Sequence, residues 1–189
     1  LGAWLGGKAF EASGHYDWMW FADIALCLFA ALVHLALSRR ALADGNARQA
    51  LDRAHHAVTA SYEAGQPRLQ WQAFGAVALA HAGEGRLQEA VFFGKLALLR
   101  IQSQRVSLQP LGGAADARYL ADKSGLYRQV SQWLLTLGRL GEALEVMRLL
   151  KQYEQSQFTE RASAVDAELS FTERERVLLR RLLAQFDAS

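Results

Sequence analysis

Cysteine is nearly missing from this chain of 189 residues: Cys27 stands alone. No disulfide can form within it, so the fold must be held by packing, as is usual in a reducing compartment. Proline is nearly missing too, with Pro67 and Pro110 the only two. Long helices therefore run without their strongest breaker, and a chain dominated by Ala, Leu, Gln and Arg favours them further. An excess of one charge is also lacking, since 21 basic against 19 acidic residues leave +2. Residues 1–38 carry one Lys against three acids, and the remainder carries 20 basic against 16 acidic residues. That surplus is too diffuse for the clustered basic face a nucleic acid needs, so no nucleic-acid partner is expected.

Reaction motifs are equally scarce. The sequence has no HExxH, no CxxC, no nucleophile elbow and no dinucleotide loop. His55 and His56 are adjacent and point about 100° apart on a helix, so they do not make a two-ligand site. Gly2, Gly7 and Lys8 match the spacing of a phosphate loop, but Ala9 stands where Ser or Thr would hold magnesium. Gly2 and Gly6 read better as a close-packing pair in a helix. No catalysis, no cofactor and no metal site are expected of this chain.

What the sequence does have is one long apolar run. Trp18 to Leu37 is interrupted only by Asp23 and His34. A bilayer needs about 20 such residues in a helix. Asp23 and His34 fall within roughly 20° of each other on a helical wheel at about 100° per residue. Cys27 and Ala30 share that seam, while Phe21, Leu28, Phe29 and Leu32 occupy the opposite side. A narrow polar seam and a broad bulky face suit a membrane helix that packs one edge on protein. Trp18 and Trp20 at one end and Arg39 and Arg40 at the other suit an interfacial belt and a cytoplasmic flank. No basic stretch precedes the run and no small-residue cleavage site follows it, so it does not read as a signal peptide. The expectation is a membrane-spanning helix with residues 41–189 cytoplasmic. A buried helix of a soluble cytoplasmic domain is the alternative.

The stretch "LGAWLGGKAFEASGHYDWMWFADIALCLFAALVHL" resembles the end of a major facilitator superfamily transporter, through its "LGGK" helix end, its "SGHYDWMW" loop and a final helix ending in "LVHL". The resemblance covers about the first 38 residues and implies a membrane location. It carries over no substrate residue.

Beyond residue 40 the pattern repeats. "DGNARQALDRAHHAV", "EGRLQEAVFFGKLAL" and "LGRLGEALEVMRLLK" each carry a Gly, then an Ala five places later: Gly45 and Ala50, Gly85 and Ala90, Gly138 and Ala143. Gly closes one helix, and Ala lets the two arms of a hairpin approach. This resembles the tetratricopeptide repeat, with Phe74, Val77, Ala78 and Ala97, then Tyr127, Leu134 and Met147, at pattern positions. Gly94 and Ser131 depart from it, and "SLQPLGGAAD" reads as an inserted loop. Ala41 to Arg161, through "VFFGKLALLRIQSQR" and "DKSGLYRQVSQWLLTLGRLGEALEVMRLLKQYEQSQF", further resembles the repeat region that precedes a CHAT domain, a caspase-like protease module. That resemblance implies a regulatory repeat region and no catalytic residue here.

The fold class expected is therefore all-α: a short α-solenoid of helical hairpins with an N-terminal hydrophobic helix. Residues 1–40 form the membrane-type segment, 41–161 the repeats and 162–189 a capping or linker helix. That last helix opens with a capping box of Ser170 or Thr172 with Glu173 or Glu175. "AALVHLALSRRALAD" would serve at once as membrane helix and first repeat helix, without a break at residues 37–41. The function expected is protein–protein interaction, a peptide or partner helix lying in the repeat groove against Gln72, Arg128 and Gln132. The alternatives are a transporter's C-terminal piece with a cytoplasmic appendage, and the regulatory part of a CHAT-type protease.

Overall fold

The structure, a computed structural model, describes residues 17–108, 123–156 and 169–187. Seven α-helices and no strand occur among them. They are α1 (Asp17–Ala43), α2 (Ala47–Glu63), α3 (Pro67–Gly83), α4 (Leu87–Leu108), α5 (Ser124–Thr136), α6 (Leu140–Ser156) and α7 (Glu173–Asp187). The glycine pair at residues 2 and 6 and the "SLQPLGGAAD" loop past residue 108 lie outside the described residues.

Four of the turns are closed by one device. Gly45, Gly65, Gly85 and Gly138 have φ of 76°, 57°, 74° and 72°, a conformation costly to any residue with a Cβ. The glycine N–H bonds back three residues and the next N–H bonds back five, as in Asn46 N to Ala41 O at 2.8 Å and Arg139 N to Leu134 O at 2.8 Å. These are Schellman turns, which satisfy the last carbonyls of one helix while reversing the chain. Local capping starts the next helix: the Asn46 side chain accepts from Gln49 N at 3.1 Å, and Pro67 sits in the first turn of α3. Gly65 joins one hairpin to the next and was not expected from the sequence.

Each helix packs on its successor from α1 to α6, and α1 also touches α3. The hairpins are α1–α2, α3–α4 and α5–α6. Ala31, Leu35, Ala54, Ala57, Ala73, Phe74 and Val77 form one core with Phe92 and Leu96. Val91, Leu98, Ile101, Tyr127, Val130, Trp133, Leu134, Val146 and Leu150 form a second. Gly94 falls between α4 and α5, where an added Cβ would lie 2.5 Å from Val130 Cγ2. The missing side chain lets these helices close up.

The helix α1 runs unbroken through residues 37–41, as expected. Ala31, Leu35, Ser38 and Ala41 are buried along its inner side, so it is the first arm of the first hairpin. It is also the one helix among the described residues long and apolar enough to cross a membrane. Residues 20–26 are exposed on every side, Trp20 at 70% and Phe21 at 67%. Two expectations need correction. Leu28, placed on the outward bulky face, is half-buried against the first core, because α2 covers its edge of the helix. Met147, placed at a core position of the third repeat, is 41% exposed, because no described helix covers that side of α6.

The helix α7 starts with a reciprocal capping box. Thr172 N donates to Glu175 Oε2 at 2.8 Å, and Glu175 N donates to Thr172 Oγ1 at 3.4 Å. Leu179 and Leu182 then pack against the first core, so α7 lies along the side of the hairpins and leaves Leu144 and Met147 at the end of α6 exposed.

Candidate interaction surfaces

One seam recurs in all three hairpins. Seven residues before each hairpin's glycine stands a small residue, and five after it stands Ala. In the first hairpin Ser38 Oγ donates to Ala50 O at 2.8 Å, and in the third Ser131 Oγ donates to Ala143 O at 3.4 Å. Ala78 and Ala90, both fully buried, take these places in the second. The hydroxyls at Ser38 and Ser131 are thus satisfied by the facing helix without widening the seam.

This common register locates the expected groove residues. Gln72, Arg128 and Gln132 stand thirteen, ten and six residues before their glycines, so they share one helical face. Gln72 is half-buried on α3, while Arg128 and Gln132 are exposed one turn apart on α5. Arg39 on α1 and Leu79 on α3 share the register of Gln132 and are exposed as well. The first arms therefore carry a mixed polar and apolar row along one face.

None of the three borders the open apolar cleft of about 340 Å³ elsewhere on the molecule. Tyr62, Phe74, Leu96, Leu99, Leu179 and Leu182 line that cleft, with Arg100 and Ser103 at its edge. Arg100 Nη2 donates to the Tyr62 hydroxyl at 2.8 Å, and its guanidinium lies 5.7 Å above the Tyr62 ring. The cleft offers apolar contact, the Arg100 cation and the hydroxyls of Tyr62 and Ser103.

A buried charge network ties α7 in place. Lys95, 1% exposed, pairs with Glu142 and with Glu175 at 3.2 Å, and donates to Ser170 O at 2.6 Å. Arg139 pairs with Glu142 at 2.6 Å and with Glu175 at 3.2 Å. Two cations thus face two carboxylates, and every member has several partners. Burial pushes the Glu175 carboxyl up, but hydrogen bonds from Arg139 and Thr172 N, with the charges of Lys95 and Arg139, leave it below its ordinary 4.5. For Glu142, burial again opposes, and Arg139 and Lys95 again prevail. Sequence reasoning missed this network, because its members come from α4, α6, α7 and the turn before α6.

The described histidines lie against other rings. His56 stacks on His34 with centroids 5.1 Å apart, and Asp23, expected on the seam with His34, is exposed. His81 is buried and stacks on Phe93 at 5.3 Å. Among the described residues no three His, Cys, Asp or Glu side chains gather to hold a metal ion. Scans against protein-family models, curated proteins and solved structures each return no match.

Proposed function

We propose that this chain is a protein-interaction scaffold of tetratricopeptide-like hairpins, tethered to a membrane through Trp18–Leu37, with the repeats on the cytoplasmic side and no catalysis of its own. The observation that carries the reading is the recurring seam: Ser38 against Ala50, Ala78 beside Ala90, Ser131 against Ala143. A small pair at one register closes the two arms of each successive hairpin in the same way, which is the mark of a repeated helical unit. The row of Gln72, Arg128 and Gln132 on the first arms is the surface offered to a peptide or a partner helix.

Membrane attachment is supported by Trp20–Leu26, which α2 leaves clear on all sides, and these residues enter deepest. From Cys27 onward the helix runs beside α2, whose Asp52, His56 and Glu63 are exposed and belong near the surface.

Fractionation of the full chain tests the tether. Wild type is expected in the membrane pellet, and Leu26→Glu/Phe29→Glu in the supernatant, because both residues are more than 60% exposed (66% and 65%) and add nothing to the core. Equal partition of the two proteins would refute attachment through α1. Capture of a partner by wild type, lost with Gln72→Ala/Arg128→Glu/Gln132→Ala, tests the groove. Capture unaffected by the triple variant would move the interaction elsewhere.

A further inference from the structure

The hairpins stack through a joint that the molecule makes twice. On the outgoing side, the residues six and nine places after the hairpin glycine face the next hairpin. In α2 they are Leu51 and Ala54, packed with Ala73 and Val77 of α3 in the first core. In α4 they are Val91 and Gly94, packed with α5: Val91 is fully buried, and a Cβ on Gly94 would meet Val130 and Trp133. In α6 they are Leu144 and Met147, and these are 69% and 41% exposed.

The incoming side follows the same register. Twelve and eight places before the glycine stand Ala73 and Val77 in α3, both fully buried, and Leu126 and Val130 in α5. Leu126 and Val130 both belong to the core shared with α4. In α1 the equivalents are Val33 and Leu37, exposed at 37% and 43%. One end of the stack thus shows the outgoing half of the joint, and the other end shows the incoming half.

We propose that the chain stacks head to tail on a second copy of itself, with Leu144 and Met147 docked on Val33 and Leu37 of the next copy. The contact continues the internal joint rather than inventing a new one. Polar neighbours agree with it. Arg148 has the register of Lys95, which meets Glu142 inside the chain. Across copies Arg148 would meet Asn46 and Gln49, the equivalents of Arg139 and Glu142, whose amide oxygens accept from a guanidinium without a like-charge clash. Arg40, at the register of Trp133, is exposed and turned toward Asp44 at 3.5 Å. Met147 in place of Gly94 spaces the helices further apart and adapts to what it meets. Such a contact is heterologous, so it propagates instead of closing on a twofold axis.

The inference rests on the hairpin stack; Val33 and Leu37 belong to the Trp18–Leu37 tether but lie beside α2, away from Trp20–Leu26, the part argued to enter the membrane deepest. Its test is the mass of the full chain in solution across a hundredfold concentration range. Wild type is expected to grow past the dimer. Leu37→Glu and Leu144→Glu should each remain monomeric alone, with unchanged helical circular dichroism. Mixed one to one they should form a dimer and stop there, because only one intact joint is left. A monomer at every concentration for wild type overturns the proposal. So does a dimer lost in Leu144→Glu but kept in Leu37→Glu, which would mean a face-to-face contact, or a mixture that stays monomeric. Vesicle binding by a monomeric wild type would leave the tether standing while refuting the stacking.

Discussion

At the scale of single residues, two positions are set by what their neighbours leave them. Val130 is fully buried and branched at Cβ, so it has little freedom to move away from a methyl group on Gly94. Gly94→Ala gains helix propensity yet overpacks the joint, and should destabilise by about 1–3 kcal/mol. Thermal unfolding would register this as a fall of roughly 2–4 °C per kcal/mol in a domain of this size. His81 has the register of Ala41 and Leu134, both buried and apolar. Burial first, and then the charge of Arg86, push its pKa below the ordinary 6.5. The neutral ring is therefore the one the fold accepts. Stability from this site is complete above the unfolded value and is lost as pH falls from there through the lowered folded value. His81→Leu should flatten the pH dependence of Tm in that window, and an unchanged slope would place the sensitivity elsewhere.

At the scale of elements, α7 is held by charge as much as by Leu179 and Leu182. Removing one member of a buried network leaves its partners uncompensated and typically costs about 3–5 kcal/mol. Lys95→Met should therefore loosen α7, and limited proteolysis would find cleavage there before the hairpins yield. Glu142 and Glu175 titrate below their ordinary 4.5, so the network's contribution is complete above that value and is lost as pH falls through the lowered ones. Wild type should shed α7 on acidification, and Lys95→Met should show less of that dependence. The elements themselves were legible in the sequence because their signals are local. Gly45, Gly85 and Gly138 mark turns, and Thr172 with Glu175 marks the start of α7. The network was not legible, since Lys95 and Glu175 stand 80 residues apart and nothing in either segment points to the other. Leu28 and Met147 failed for a related reason. Amphipathic position says which side of a helix is apolar, whereas the number of covered sides depends on neighbours.

At the scale of the whole molecule, the exposed stripes at both ends make solution behaviour the informative property. The chain should partition to membranes through Trp20–Leu26 and self-associate through Val33, Leu37, Leu144 and Met147. Glu substitutions in the two sets should separate these behaviours. The row of Gln72, Arg128 and Gln132 was readable as a periodicity, whereas the apolar cleft beside Arg100 draws on α2, α3, α4 and α7 together.

The four Schellman turns also bear on how the chain reaches this state. Their bonds close over three and five residues, and each helix then meets its immediate successor from α1 to α6. Loops that short close with little entropy loss, so the hairpins should form early and quickly, each nucleated at its own glycine. The contact between Lys95 and Glu175 must wait until α4, α6 and the segment between them are in place. Refolding followed by fluorescence should therefore show a fast phase that Lys95→Met leaves unchanged. Any slower docking of α7 should disappear in that variant.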